Sequence, residues 1–311
     1  MKNTVLGAIC LSLAASIWGS MYVVSKYVLD FIPPMTLVWL RYVIAFVVLY
    51  AIIKVAQRKT NTSTKLSKKD WLLLAWIGFI GYFVSISCQF IGTKLSDAHT
   101  GALITSATPA FIVIFARLVL KETLTMRKIL SLLIATLGVA IVVGWNPDLG
   151  DYFWGNIILV GAAITWALLS VYVKVASYSF SSLTITTYAV LFALIFTTPF
   201  MLWEMQTNSI LLNDSLIIPG VIYLGIVSTA GAFFLWNKGM ELMDAGIGSL
   251  FFFFQPLVGA VLGWFLLGEH LDVNFFAGGL LILLGVLIVT FQKNSKLNQD
   301  VKTPLYYISN K

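Results

Sequence analysis

Residues 92–124 read GTKLSDAHTGALITSATPAFIVIFARLVLKETL, and residues 239–271 read GMELMDAGIGSLFFFFQPLVGAVLGWFLLGEHL. Laid over one another at a shift of 147, they share ten identities in 33 positions without a gap. Gly92, Leu95, Asp97, Ala98, Gly101, Leu103, Pro109, Leu120, Glu122 and Leu124 fall on Gly239, Leu242, Asp244, Ala245, Gly248, Leu250, Pro256, Leu267, Glu269 and Leu271. Chance readily pairs leucine with leucine in apolar segments. It does not readily pair Asp, Pro and Glu in one register. The same shift carries Leu137, Gly138, Val139, Ile141 and Val142 onto Leu284, Gly285, Val286, Ile288 and Val289, and a shift of 148 puts Trp18 on Trp166 and Lys26 on Lys174. The chain is an internal duplication.

Composition says what is duplicated. Of 311 residues, 59% are hydrophobic and 11% charged, against roughly 25% charged in a soluble domain. Ten apolar stretches run approximately over 4–27, 35–54, 71–93, 98–119, 126–145, 153–175, 182–203, 216–238, 245–267 and 272–291. Each suits a spanning helix of about 20 residues, whose backbone polar groups are satisfied internally. Breakers and caps mark the ends: Pro33-Pro34 before the second, Trp145-Asn146-Pro147-Asp148 after the fifth, and Asp97 and Asp244 as candidate N-caps of the fourth and ninth. Repeat one takes residues 1–145 and repeat two residues 146–291, with 292–311 as a polar cytoplasmic tail. Five helices is an odd number, so the second copy enters the membrane the other way up. The predicted fold is an all-α membrane protein of ten transmembrane helices, arranged as two inverted five-helix repeats. That architecture is characteristic of secondary transporters, with a site near the midplane between the repeats. A duplication that merely builds a stable bundle is the blander alternative.

Charge supplies the orientation. The net charge is +7, which in a soluble protein would raise nucleic acid as a partner. Here the cations sit in short loops and tails, so the partner is the lipid bilayer and no nucleic acid is expected. With the N-terminus inside, 17 of the 20 Lys and Arg residues face the cytoplasm; Lys26 and Lys94 lie outside and Arg41 lies within the second span. The positive-inside rule therefore puts both termini in the cytoplasm and the protein in the cell membrane. The apolar N-terminal stretch runs on through Trp18, Tyr22 and Lys26, and is read as a first spanning helix, not a cleaved leader. Cys10 and Cys88 lie in apolar runs without a CxxC partner, so neither a disulfide framework nor a metal site is expected.

All 13 acidic residues fall in loops, tails or helix ends, so no buried carboxylate relay is visible. The mid-span polar groups are neutral or aromatic. Trp18, Tyr22 and Ser25 share a helix face, as do Tyr82, Ser85 and Gln89 and, on the sixth helix, Trp166 and Ser170. Thr105, Thr108, Trp236, Asn237 and Gln255 complete the set expected to line a central cavity for a neutral or zwitterionic solute. Packing between helices with local hydrogen bonds is the competing explanation for each. Arg41 needs a partner or a wet cavity, because an unpaired charge in a span costs at least about 2.5 kcal/mol. Lys26 and Lys174 sit at opposite mouths, either as gate residues drawing in a carboxylate or as snorkelling side chains. Pro109 and Pro256 are expected near mid-helix, as kinks or hinges. Gly259 and Gly263 form a small-xxx-small pair, for packing inside the molecule or in a homo-oligomer. Glu122 and Glu269 are read as fixing loop geometry.

Trp18-Gly19, Arg41, the segment Ala98 to Pro109 followed by Glu122, and the second-repeat counterparts Trp166, Ala245 to Pro256 and Gly268-Glu269 resemble the EamA branch of the drug/metabolite transporter superfamily. The resemblance covers residues 5–290. It departs at Lys121, where a Gly usually precedes the Glu, and at Tyr188, which matches Arg41. It implies a secondary transporter moving a small organic metabolite, an amino acid or related solute, by alternating access, with export favoured over uptake and no cofactor. No P-loop is present, so a gradient or a separate partner supplies any energy. A membrane-embedded enzyme acting on a lipid-linked substrate is the alternative. It would need a nucleophile, a metal cluster or an acid/base pair, and no HExxH, CxxC or paired mid-span carboxylates occur. A sensor ranks behind both, for want of an output domain.

Overall fold

The computed structural model describes residues 2–60, 66–95, 104–105, 107–143, 153–211, 214–267 and 273–290. All regular structure among them is helical. In chain order the helices are α1 (Lys2–Leu29), α2 (Pro34–Thr60), α3 (Lys68–Leu95), α4 (Thr108–Val119), α5 (Met126–Val143), α6 (Phe153–Ala176), α7 (Ser182–Glu204) and α8 (Ile217–Leu242). Next comes α9, which starts as Ala245–Gly248, passes through a 3₁₀ turn at Ser249–Phe253 and resumes as Phe254–Leu267; α10 is Val273–Thr290. Six of the described helices, α1, α2, α3, α6, α7 and α8, are long and apolar enough to cross a membrane. The chain is a multi-pass membrane protein. Large apolar side chains such as Leu72, Leu133 and Phe276 stand exposed on its outside, the arrangement lipid favours and water penalises.

Helix ends follow local chemistry. Pro34 opens α2, where its missing N–H is no loss. Ser67 and Asp70 form a capping box at the start of α3. Asp244 is a correction to the sequence reading: its side chain makes no capping bond to α9. Glu122, from the other repeat, takes that role, accepting from the backbone N–H groups of Ala245 (2.7 Å) and Gly246 (3.1 Å). Asp97, the other candidate cap, lies outside the described residues, as do Glu269 and the tail.

Pro109 is a second correction. Pro109 is in the first turn of α4, after a turn at Ala107, and Pro256 is in the first turn of the α-helical part of α9, after the 3₁₀ turn. Pro109 thus starts a helical segment, whereas Pro256 lies in the middle of α9, just past the point where the 3₁₀ turn gives way to α-helix. A proline contributes no N–H and is tolerated at a helix start. Here each follows a change in backbone hydrogen bonding, a turn before Pro109 and a 3₁₀ stretch before Pro256.

The halves pack reciprocally. Gly92 of α3 abuts Leu159 and the Gly155 carbonyl of α6; its counterpart Gly239 of α8 abuts Leu11 and the Gly7 carbonyl of α1. A Cβ at Gly92 would come within 2.7 Å of Leu159, and one at Gly239 within 2.3 Å of Leu11, so glycine is needed for this approach. On α5 and α10, Gly138 faces Gly278 and Ile282, while Gly285 faces Ser131 and Ala135. The start of α5 thus meets the end of α10, and the Ser131 hydroxyl donates to the Gly285 carbonyl. Likewise Glu204, at the end of α7, accepts from the N–H groups of Met35 (3.2 Å) and Thr36 (2.7 Å) at the start of α2. Equivalent helices therefore run antiparallel. Gly259 packs on Gly19 of α1, so this member of the small-residue pair is used inside the molecule.

Both α3 and α8 widen into π-helix, over Gly78–Ser85 and Leu224–Gly231. A π turn bonds i to i+5 and is often found at functional sites. The two stretches stand 146 residues apart, so the duplication carried the distortion as well as the fold.

Candidate functional site

Between the repeats lies a cavity of about 420 Å³, its open mouth included. Its lining comprises Trp18 and Met21 from α1, Arg41 from α2, Ser85, Ile86 and Gln89 from α3, Thr105 and Thr108 at α4, Ala162, Ala163 and Trp166 from α6, Phe233 from α8, and Phe252 and Gln255 from α9. Trp18 and Trp166, paired by the repeat, meet edge to face with ring centroids 5.1 Å apart. Such a contact contributes about 0.5–1.5 kcal/mol beyond area burial. The Trp18 indole donates to the Ser228 carbonyl at 3.1 Å. Gly19 beside it has no side chain because a Cβ there would lie 2.6 Å from the Gln255 carbonyl. The Trp18-Gly19 motif thus joins an indole that lines the cavity to the closest α1–α9 approach.

Arg41 is 1% exposed. Its Nε donates to Thr229 Oγ1 at 3.0 Å, and one Nη donates to Ser228 Oγ at 3.3 Å and Met21 Sδ at 3.4 Å. The guanidinium also lies over the Phe90 ring, 5.2 Å from its centroid. Ser228 and Thr229 belong to the π stretch of α8, whose wider turn presents successive hydroxyls to one guanidinium. Among the described residues no carboxylate pairs with Arg41, and the ion pairs are Glu122–Lys128 and Lys238–Glu241. Three buried polar atoms on cavity-lining residues have no partner among the described residues: Arg41 Nη1, the Trp166 indole nitrogen and Gln255 Oε1.

Of the residues expected from sequence to line a cavity, Trp18, Arg41, Ser85, Gln89, Thr105, Thr108, Trp166 and Gln255 come together here. Tyr82, Ser170, Trp236 and Asn237 do not line it. They form buried networks behind the wall: Asn237 Nδ2 donates to Tyr82 OH and Thr186 Oγ1, both at 2.8 Å, and the Trp236 indole donates to Ser170 Oγ at 3.1 Å. Ser25 is buried with its hydroxyl on the Met21 carbonyl (2.7 Å). The side chains of Tyr22 and Lys26 lie outside the described residues. Sequence reading missed Phe233 and Phe252. The repeat register could have found Phe252, which stands 147 residues beyond Thr105.

The repeats share a scaffold but not a lining. Gln89, Thr105 and Thr108 map onto Trp236, Phe252 and Gln255 at the same shift. Repeat one supplies most of the hydrogen-bonding wall; repeat two supplies most of the aromatic one. The cavity is amphipathic.

One end of the molecule is tied across the repeats. Glu122 holds the α9 start and pairs with Lys128 at 3.2 Å. Within repeat two, at the same end, the Lys174 ammonium donates to the carbonyls of Glu241 (3.0 Å) and Met243 (2.8 Å) at the end of α8, a favoured place for a cation. Burial and the negative charges of Glu122 and Asp244 push the nearby Tyr178 hydroxyl up from its ordinary pKa. Among the described residues no group of three His, Cys, Asp or Glu is placed to hold a metal ion.

Reciprocal helical halves, lipid-facing flanks and an amphipathic cavity between them place this protein among multi-pass membrane transporters. The chain belongs to the EamA-like transporter family, which it matches over residues 5–144 and again over 153–291. It is 27% identical over 297 residues to the uncharacterized transporter YetK of Bacillus subtilis (strain 168), covering 94% of this chain and 89% of that protein. An uncharacterized transporter of Archaeoglobus fulgidus is 26% identical over 281 residues, covering 90% of this chain and 97% of that protein. A solved crystal structure superposes with a TM-score of 0.74 at 19% identity, covering 91% of this chain and 95% of that one; the fold is shared.

Proposed function

We propose that this protein is a secondary transporter that moves a small organic metabolite, an amino acid or related solute, across the cell membrane by alternating access, outward more than inward. In this reading α4, α5, α9 and α10 also span, giving ten helices in two inverted repeats (1–145 and 146–291) with both termini in the cytoplasm. The observation that carries it is the cavity between the repeats, lined from both and holding buried polar atoms without protein partners. Buried polar groups are normally satisfied, so a site that leaves three open is suited to a ligand that supplies their partners. Antiparallel equivalent helices support the mechanism: what closes one face in one conformation has a counterpart to close the other face in the second. The Glu122 and Lys174 ties then belong to a closed cytoplasmic face.

The test is counterflow with the purified full-length protein in liposomes, against pooled amino acids and related metabolites. Saturable exchange that disappears in protein-free vesicles is expected. No exchange across a broad pool, alongside turnover of a lipid substrate, would replace transport with the enzymatic alternative.

A further inference from the structure

We propose that the group this cavity recognises is a carboxylate, held by Arg41 Nη1 and the Trp166 indole N–H, and that a positive amino group on the solute is dispensable. The proposal rests on the transporter reading and names its substrate class: small organic acids with an apolar body.

The open valences are the first ground. Arg41 uses its Nε and one Nη on Thr229, Ser228 and Met21, and its other Nη is buried with nothing to donate to. Trp166 is 6% exposed, and its N–H is likewise unmet. Both line the same cavity. Two donors, one of them charged, match the two oxygens of a carboxylate, and charge-assisted bonds of this kind are the strong ones.

Charge is the second ground. Arg41 carries the single formal charge among the described lining residues. A buried guanidinium without a counter-ion is costly, and burial is tolerated when an anion accompanies it. The three hydrogen bonds to neutral groups orient Arg41 without neutralising it. A bound carboxylate makes the loaded site neutral. An ammonium would add a second positive charge to the same enclosure. It would find one unpartnered acceptor, Gln255 Oε1, where its three N–H groups need several.

The walls set the rest of the solute. Phe233 and Phe252 line the cavity from repeat two, so the body opposite the acid is apolar.

Binding of four probes with one body tests this: 3-phenylpropionate, its amide, 3-phenylpropylamine and phenylalanine, titrated calorimetrically into the detergent-purified protein. The acid is expected to bind at least tenfold tighter than the amide and the amine, and no weaker than phenylalanine. Arg41→Gln should bring the acid-to-amide ratio close to one, Arg41→Lys should retain part of it, and Trp166→Phe should shrink it several-fold. If Arg41→Gln does not fold, the wild-type probe series decides alone. An acid that binds no better than the amide, or an Arg41→Gln protein with the wild-type ratio, overturns the proposal. The two readings fail separately. Saturable counterflow of the amine but not the acid leaves transport standing and removes the carboxylate site. Acid binding that depends on Arg41, without exchange of any solute, does the reverse.

Discussion

Removing the charge of Glu122 should loosen one face of the molecule. In Glu122→Gln the side chain keeps its size and one acceptor oxygen, so one of the two bonds to Ala245 and Gly246 survives. The other is lost, and Lys128, 5% exposed, keeps no carboxylate at 3.2 Å. A hydrogen bond to a charged group contributes about 1.5–3 kcal/mol, and stranding a buried partner costs about 3–5 kcal/mol. Glu122 retains some contact with solvent, so the loss should be about 3 kcal/mol, below the upper limit. If the tie exists only while the cytoplasmic face is closed, that energy moves the conformational equilibrium roughly 100-fold. Ser249, fully buried one turn beyond the cap, reports the change. In a background with Cys10 and Cys88 replaced by alanine, Ser249→Cys should react slowly with an impermeant thiol reagent in inside-out vesicles. Adding Glu122→Gln should raise the rate by one to two orders of magnitude. A fall in unfolding temperature without faster labelling would falsify the gating role and leave Glu122 as a cap alone.

Further outcomes follow from packing, topology and charge. Gly138→Ala should destabilise by about 1–3 kcal/mol, because its Cβ would sit 2.6 Å from the Gly278 carbonyl, whereas Gly161→Ala meets nothing within 4 Å and should be neutral or gain about 0.5–1 kcal/mol in helix propensity; thermal unfolding in detergent separates them. A cysteine at Asn61 should be shielded from an impermeant reagent in intact cells and one at Asp148 labelled; the reverse pattern overturns the cytoplasmic placement of the termini. A carboxylate carried without a co-ion should follow the membrane potential, about 2.3 kcal/mol per 100 mV, or roughly 50-fold in gradient. Uptake of 3-phenylpropionate into liposomes should therefore quicken when a potassium diffusion potential makes the lumen positive, and an unchanged rate would show that a second charge moves with it.

The duplication, the helical class and the pairing of Trp18 with Trp166 were legible in the sequence because each depends on residue type and register alone. The division of polar residues between cavity and wall was not. Tyr82, Ser85 and Gln89 share a face only on a continuous α-helix, and the stretch through Ser85 is π-helical. Its wider turn leaves Ser85 and Gln89 on the cavity and sends Tyr82 to Asn237. Asp244 failed as a cap for a related reason. Propensity favours a local Asp, but the Glu122 carboxylate, 123 residues before Ala245 and 124 before Gly246, reaches the first two N–H groups of the helix. The prolines at 109 and 256 read as mid-helix because the apolar runs around them are unbroken. Hydropathy carries no record of where a helix changes its hydrogen-bonding pattern.

The two halves of the chain have kept different things. What the repeats retain is what reciprocal packing demands: Gly92 with Gly239, Gly138 with Gly285, and the π stretches of α3 and α8. A change at one of these damages a contact whose partner lies in the other repeat, so both copies are constrained together. What they have lost is symmetry in the cavity, where Arg41 answers to Tyr188 and Thr105 to Phe252. Tyr188 packs against Trp71, away from the site, with ring centroids 5.0 Å apart. A pseudo-two-fold scaffold can present similar gates to both faces, but a solute with an acid at one end has no two-fold symmetry. A cavity with two equivalent cations would bind it in two orientations and leave one guanidinium uncompensated in each. On the proposed carboxylate site, a single Arg41 in a lining with Phe233 and Phe252 would fix one orientation, with no second charge among the described lining residues. In the proposed transport cycle, symmetry in the packing serves alternating access and asymmetry in the lining serves the choice of cargo.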